Sequence, residues 1–350
     1  MRAAIMRDWT LRVDDLPDPT PGPGQVLTKV LACDICGSDL HMLKHGAETR
    51  LLQAELAGDA PPPDAIAPVQ FQPDHDTVMG HEFCCEVVAL GPDCTTLREG
   101  DVVVSMPVAF DAAGIHPLGY SNLYNGGYAD VMVLNEMLAL KVPAGLPAEM
   151  AALTEPLSVG VHAVAKSRIA VGDSAIVLGL GPVGLACIAE LRIRGIGPII
   201  AADFSPKRRA LAELLGADVV VDPNETSAIA AWRKIDGSRP LVIFEAVGVP
   251  GMIEQAIRMA PKDTRILVVG VCMQPDTIHP LLAIGREINI QFVLAYEPTE
   301  FAASLNAIAE GKVDLSSWIT GTVDVDGVPQ AFVDLGNPEA HAKILVVPRG

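Results

Sequence analysis

The densest chemistry in the chain lies in Cys33-Asp34-Ile35-Cys36-Gly37-Ser38-Asp39-Leu40-His41, a stretch with two thiols, a hydroxyl, two carboxylates and an imidazole. Taken alone, its Cys-x-x-Cys fits a redox dithiol or half of a structural zinc site. Gly80-His81-Glu82 and Thr154-Glu155-Pro156-Leu157-Ser158 contribute another imidazole and two more carboxylates. Sulfur, nitrogen and oxygen donors together form the mixed set that a reactive zinc uses. The rival, a Cys33–Cys36 dithiol or disulfide site, lacks a second Cys-x-x-Cys pair, so Cys33 reads as a buried strand residue. His75 lies between Asp74 and Asp76 and reads as a solvated loop histidine; His162, one turn after Ser158, reads as a packing residue on a helix.

The apolar run Val26-Leu27-Thr28-Lys29-Val30-Leu31 precedes the cysteine segment, which places that segment where a strand ends and its side chains can reach a cleft. Further strand-like runs follow at 86–90, 101–105 and 130–134, separated by turn chemistry at Gly91-Pro92-Asp93 and Gly126-Gly127; they predict an all-β, barrel-like domain. Near Glu149 the pattern switches to apolar strands alternating with helical stretches, the mark of βαβ units on a parallel sheet. A helix over 301–310 and a strand over 343–347 close the chain. Residues 46–79 stand apart: weak helical character over 47–56, broken by Gly58-Asp59-Ala60-Pro61-Pro62-Pro63-Asp64, reads as a surface excursion, either a lid or a solvated loop.

At 350 residues the chain is long enough for about two domains. Its formal charge of −18 argues against nucleic acid and anionic membrane as partners. No basic segment leads into an apolar one at the start, and the seven cysteines show no disulfide spacing, so a cytoplasmic setting with free thiols is expected.

Ala175-Ile176-Val177-Leu178 is a buried-strand run, followed by Gly179-Leu180-Gly181-Pro182-Val183-Gly184 and a helical stretch over 185–194. In that context each glycine has a task. Gly179 makes the tight turn, Gly181 lets the backbone approach a pyrophosphate, and Gly184 lets helix and strand pack closely. The next strand ends in Asp203, placed to accept hydrogen bonds from an adenosine ribose and to repel a 2′-phosphate; NAD is therefore expected over NADP. Lys207-Arg208-Arg209 is the counter-signal, with Arg208 able to lean on a phosphate.

With both sites read, the chain resembles the zinc-dependent medium-chain alcohol and polyol dehydrogenases, in particular their sorbitol dehydrogenase-like branch. The motifs that carry the resemblance are Cys36-Gly37-Ser38-Asp39-Leu40-His41, Gly80-His81-Glu82-Phe83, Glu155-Pro156-Leu157-Ser158-Val159-Gly160, the glycine turn with Asp203, and Leu215-Gly216-Ala217-Asp218. It implies an α/β plus β architecture: a GroES-like β-barrel catalytic domain over 1–155 and 297–350, and a Rossmann doubly wound parallel-sheet domain over 156–296. It also implies a homodimer or homotetramer. Residue by residue, Cys36, His81 and Glu155 resemble the ligands of one catalytic zinc, with Glu82 as an alternate and Asp39 behind His81. Ser38 and His41 resemble the ends of a proton relay. Val159 and Val269-Gly270-Val271 correspond to residues around the nicotinamide, and Lys343 to one reaching the pyrophosphate. The region 107–127 lacks the four cysteines of the family's structural-zinc lobe, so no second zinc is expected. Cys85 replaces a usual glycine and reads as a packing residue.

These readings converge on an NAD-dependent zinc oxidoreductase that interconverts a secondary alcohol or polyol with its ketone. A zinc-free quinone or enoyl reductase and a non-catalytic nucleotide-binding protein are the alternatives.

Overall fold

The computed structural model describes residues 1–56, 71–337 and 339–349. The chain divides into two units, Met1–Glu155 with Ile319–Gly350, and Pro156–Trp318.

The first unit is built on a seven-stranded sheet in which Gln25–Asp34 is the hub. It pairs antiparallel with Glu82–Leu90, with Val131–Asn135 and with the closing strand Lys343–Val346. Val26, Val30, Phe83, Met132, Leu134 and Val346 fill its core. β-branched and aromatic side chains suit such half-buried pleated surfaces. Strand Gln25–Asp34 stops at Asp34, and helix Gly37–Leu56 begins three residues later. The weak helical signal over 47–56 therefore belongs to a longer helix that starts inside the cysteine motif, and Ser38, Asp39 and His41 lie at its N-terminal end. Residues 57–70, the centre of the expected lid, lie outside the described residues. In the cysteine-free lobe, strands Val108–Asp111 and Gly114–Pro117 form a hairpin. There the fully buried His116 meets Asp111 at 3.0 Å and packs 4.7 Å from the Tyr124 ring.

The second unit holds a six-stranded, all-parallel sheet. Its strands run in the spatial order Val219–Val221, Ile199–Ala202, Ser174–Leu178, Leu241–Glu245, Arg265–Val268 and Asn289–Phe292. Numbered along the chain, that is the 3-2-1-4-5-6 order of a dinucleotide-binding fold. The two central strands are buried throughout, as near-continuous apolar runs require when helices cover both faces.

The sequence reading ended this unit at residue 296; the structure extends it to Trp318. Helix Pro298–Ala309 is tied into the unit by two contacts that sequence periodicity does not show. Phe301 stacks on Tyr296 at 5.6 Å, and Glu300 bonds His162 of helix Thr154–Ser167 at 2.7 Å. No helix among the described residues is long and apolar enough to cross a membrane.

Candidate active site

Among the described residues, one group of donors lies close enough to share a metal ion: Cys36, His81 and Glu82, with their ligand atoms within 4.8 Å of one another. Two secondary-structure boundaries bring them together. Cys36 sits in the turn after strand Gln25–Asp34, while His81 directly precedes and Glu82 opens the neighbouring strand Glu82–Leu90, which pairs antiparallel with the first and sets Glu82 opposite Asp34. Gly80 makes that approach possible. Its φ of +96° is a conformation that suits glycine, and a Cβ there would strike the Tyr128 ring at 2.7 Å.

The His81 imidazole is fixed from behind. Asp39 Oδ1 lies 3.3 Å from Nδ1, within ion-pair distance though off the hydrogen-bond line, and Ser38 Oγ lies 3.4 Å from Nε2. Asp39 is fully buried and accepts from Tyr120 at 2.8 Å and from Tyr128 at 2.5 Å. Burial disfavours its charge, yet His81 and the two tyrosine hydroxyls outweigh it and hold the carboxyl below its usual range. For His81, burial opposes the charged form, and the Asp39 carboxylate followed by Cys36 reverses the balance, so the imidazole is held well above its usual range. Burial and then Glu82 push the Cys36 thiol up.

Sequence reasoning missed the two tyrosines. They lie 81 and 89 residues from Asp39. The only signal that could have found them is chemical, since a buried carboxylate accepts several hydrogen bonds.

Lys343 departs from its expected role. It is 1% exposed and its ammonium is hydrogen-bonded to Glu82 at the metal cluster, so the expected reach to a pyrophosphate gives way to this pairing. Burial lowers its affinity for a proton, but Glu82, Asp34 and Cys36 raise it further. Glu155 is 8% exposed at the start of helix Thr154–Ser167 and is not one of the three clustered donors. His41 is exposed and faces the His45 ring at 6.3 Å; partial burial first, then His45 and Lys44, lower its affinity for a proton. Cys33 and Cys85 are fully buried, and burial pushes the Cys85 thiol up to about 12.

The donors suit zinc: thiolate, imidazole and carboxylate are its ordinary ligands, and the imidazole has the carboxylate behind it that metal-bound histidines commonly have.

In the second unit the glycine turn joins strand Ser174–Leu178 to helix Pro182–Ile193. Gly179 has a φ of +85°, and Gly181 precedes helix Pro182–Ile193 as an N-cap without a side-chain hydrogen bond. A Cβ on Gly181 would meet nothing within 4 Å, which leaves room beside the start of that helix, where the first amides have no partner within the helix. Asp203 Oδ2 accepts from Leu180 N at 2.8 Å and Oδ1 from Ser205 N at 2.8 Å, which ties the turn to the end of the next strand. Arg208 lies 3.9 Å from the same carboxylate. Gly160 permits a close crossing next to Val159, where a Cβ would sit 2.6 Å from the Ala186 Cβ. Val269 is buried, while Val271 is half exposed beside Gly270.

A barrel-type domain carrying a thiol–imidazole–carboxylate site, joined to a dinucleotide fold, defines a nicotinamide-dependent oxidoreductase of the two-domain kind. The profile described as "Alcohol dehydrogenase GroES-like domain" matches residues 22–144, and that described as "Zinc-binding dehydrogenase" matches 182–310. The chain is 32% identical to (R,R)-butanediol dehydrogenase of Bacillus subtilis, over 97% of this chain and 96% of the relative. The crystal structure of the 2R,3R-butanediol dehydrogenase from that organism superposes with a TM-score of 0.84, at 30% identity and 99% coverage of both chains. Sorbitol dehydrogenase of Bos taurus is 27% identical over 92% of this chain and 89% of its own length. A zinc-binding dehydrogenase of Sinorhizobium meliloti, solved with NADP, superposes with a TM-score of 0.83 at 25% identity, covering 99% of both chains. The protein belongs to the zinc-dependent medium-chain alcohol/polyol dehydrogenase family, oxidoreductases that act on CH–OH groups.

Proposed function

We propose that the chain binds one catalytic zinc through Cys36, His81 and a glutamate, and uses NAD to interconvert a secondary alcohol or polyol with its ketone. The observation that carries this reading is the cluster of three buried or half-buried donors within 4.8 Å, with the imidazole backed by Asp39. Zinc, when bound, is a Lewis acid that brings a hydroxyl proton within range of removal near neutral pH. The chain supplies the rest. Ser38 Oγ, beside His81, accepts that proton as it gives up its own to a relay through the nicotinamide ribose, and the exposed His41 at the far end passes a proton to solvent. Val159 presses on the nicotinamide, and Val269, Gly270 and Val271 line its pocket. The hydride moves to the nicotinamide, whose own chemistry performs the transfer. The relatives' butanediol and sorbitol substrates favour a secondary hydroxyl with a second hydroxyl nearby.

The glutamate is decided by experiment. Glu155→Ala is expected to weaken zinc binding roughly 10–100-fold, measured by competition with a chromophoric chelator. Unchanged affinity assigns the oxygen ligand to Glu82, which already lies in the cluster.

NAD is preferred because Asp203 presents a carboxylate at the end of its strand, held there by two backbone N–H donors. Asp203→Ala is expected to raise the KM for NAD roughly tenfold or more, the worth of a hydrogen bond to a charged group, and to narrow discrimination against NADP. Zinc content stays at the wild-type level. Steady-state kinetics with both cofactors test this; a strong preference for NADP in the unaltered protein overturns it, with Arg208 as the phosphate partner.

A zinc-free reductase or a non-catalytic nucleotide binder would have no use for Cys36 and His81 with a buried carboxylate behind them. Metal content measured beside NADH formation on an alcohol panel separates the three: turnover without metal indicates the reductase, and metal without turnover the binding protein.

Among the described residues, strand Asn289–Phe292 pairs on one side only, and Leu281, Ile284, Phe292 and Leu294, close to it in sequence, are 69–82% exposed. An apolar sheet edge of this kind is suited to a second copy of the chain, so a homo-oligomer forms part of the proposal. All seven cysteines are unpaired, which supports a reducing compartment such as the cytoplasm.

A further inference from the structure

Strand Gln25–Asp34 ends with Asp34 directly opposite Glu82 on one neighbouring strand and opposite Leu345 on the other. Opposed residues share a face of the sheet, and Lys343, two residues from Leu345, projects to that same face. Like charges placed directly opposite each other repel. Here both carboxylates are out of water, with Asp34 at 0% and Glu82 at 1% exposure, and one ammonium stands between the strands to serve them. Lys343 donates to Glu82, while neither carboxyl oxygen of Asp34 has a hydrogen-bond partner among the described residues. A buried, unpaired carboxyl group is costly to keep. Its place beside an ammonium that is already engaged calls for an account.

We propose that Lys343 is shared between Glu82 and Asp34, and that this sharing sets the affinity of the Cys36–His81 site for its metal ion. In the metal-free protein the ammonium holds Glu82. As an ion draws on Glu82, the ammonium turns to Asp34, which is the seat kept for it. Both are positioning residues that act through Glu82. The inference rests on the reading of Cys36 and His81 as zinc ligands with Glu82, the carboxylate of the cluster, as the oxygen donor the ion draws on.

The two residues then act with opposite signs, which a merely structural role would not produce. In Asp34→Asn the ammonium loses its second seat and stays on Glu82, so zinc affinity falls about tenfold. In Lys343→Met, Glu82 has no competing cation, and affinity rises by about the same factor. Lys343→Arg, which keeps the charge, stays near wild type. Zinc affinity is read by chelator competition, and the visible absorption of the cobalt-loaded protein reports the change at the metal in Lys343→Met. Shifts of both variants in one direction, or of neither, overturn the proposal. Should Lys343→Met fail to fold, Asp34→Asn decides alone, and unchanged or tighter binding overturns it. Cys36→Ala runs in parallel: wild-type zinc affinity in that variant overturns the ligand reading itself, whereas lost affinity there beside same-sign shifts in the other two overturns only the sharing.

Discussion

Cys36→Ala is expected to yield a folded protein with no stoichiometric zinc and no measurable alcohol oxidation. Cys36 lies in the turn between strand Gln25–Asp34 and helix Gly37–Leu56, outside the core that holds the first unit together, so its loss opens no cavity there. What it removes is the sulfur of the cluster. Burial and Glu82 push the thiol up, so the unliganded protein does little to hold a thiolate; a bound divalent ion deprotonates such a thiol outright. Ligand and ion thus depend on each other. Lewis-acid stabilisation of this kind is worth several kcal/mol, so turnover falls by roughly 10³-fold or more. Elemental analysis after dialysis, a melting curve and NADH formation on a panel of secondary alcohols check the three parts separately. NADH binding, followed by fluorescence, is retained, because the glycine turn belongs to the other unit. Zinc and turnover both at wild-type level would remove Cys36 from the ligand set.

Legibility in the sequence followed the range of each interaction. The parallel sheet was readable because Ser174–Leu178, Ile199–Ala202 and Leu241–Glu245 are apolar runs, and a run buried on both faces announces itself locally. The glycine turn was readable from its spacing between a strand and a helix: Gly179 sits at a positive φ and Gly184 lies against the Gly179 carbonyl oxygen, constraints set within the turn, while Gly181 leaves room beside the backbone. Helix Pro298–Ala309 was assigned to the wrong unit because its allegiance rests on Glu300 bonding His162, 138 positions away. The surroundings of the metal cluster failed in the same way. Cys36, His81 and Glu82 were recognisable by type, but Tyr120 and Tyr128 carry no local mark of their bonds to Asp39. Lys343 was given to a phosphate because its pairing with Glu82 spans 261 positions and depends on the closing strand lying beside Gln25–Asp34. Local grammar names the donors, and only the assembled sheet decides which of them share a face.

Gly184→Ala is expected to abolish NAD binding and to lower the melting temperature, while zinc content stays unchanged. A Cβ at Gly184 would lie 1.9 Å from the Gly179 carbonyl oxygen and 3.0 Å from its carbon, so backbone has to move. The turn has little room to yield. Gly179 N donates to Ala202 O at 2.9 Å, Leu180 N donates to Asp203 at 2.8 Å, and Gly179 itself sits at a positive φ. The conflict therefore falls on helix Pro182–Ile193, whose N-terminal amides are the proposed phosphate seat. Overpacking of this order costs about 1–3 kcal/mol in stability. Gly181→Ala provides the internal contrast. Its Cβ meets nothing within 4 Å and its φ of −69° is open to any residue, so the fold is expected to keep its full stability. The methyl would instead project into the space proposed for the pyrophosphate, and NAD affinity is expected to fall with no change in melting temperature. Fluorescence titration with NADH beside thermal unfolding separates the two variants. If Gly184→Ala binds NADH as the unaltered chain does, the pyrophosphate does not rest on this turn, and the dinucleotide site has to be sought elsewhere in the second unit.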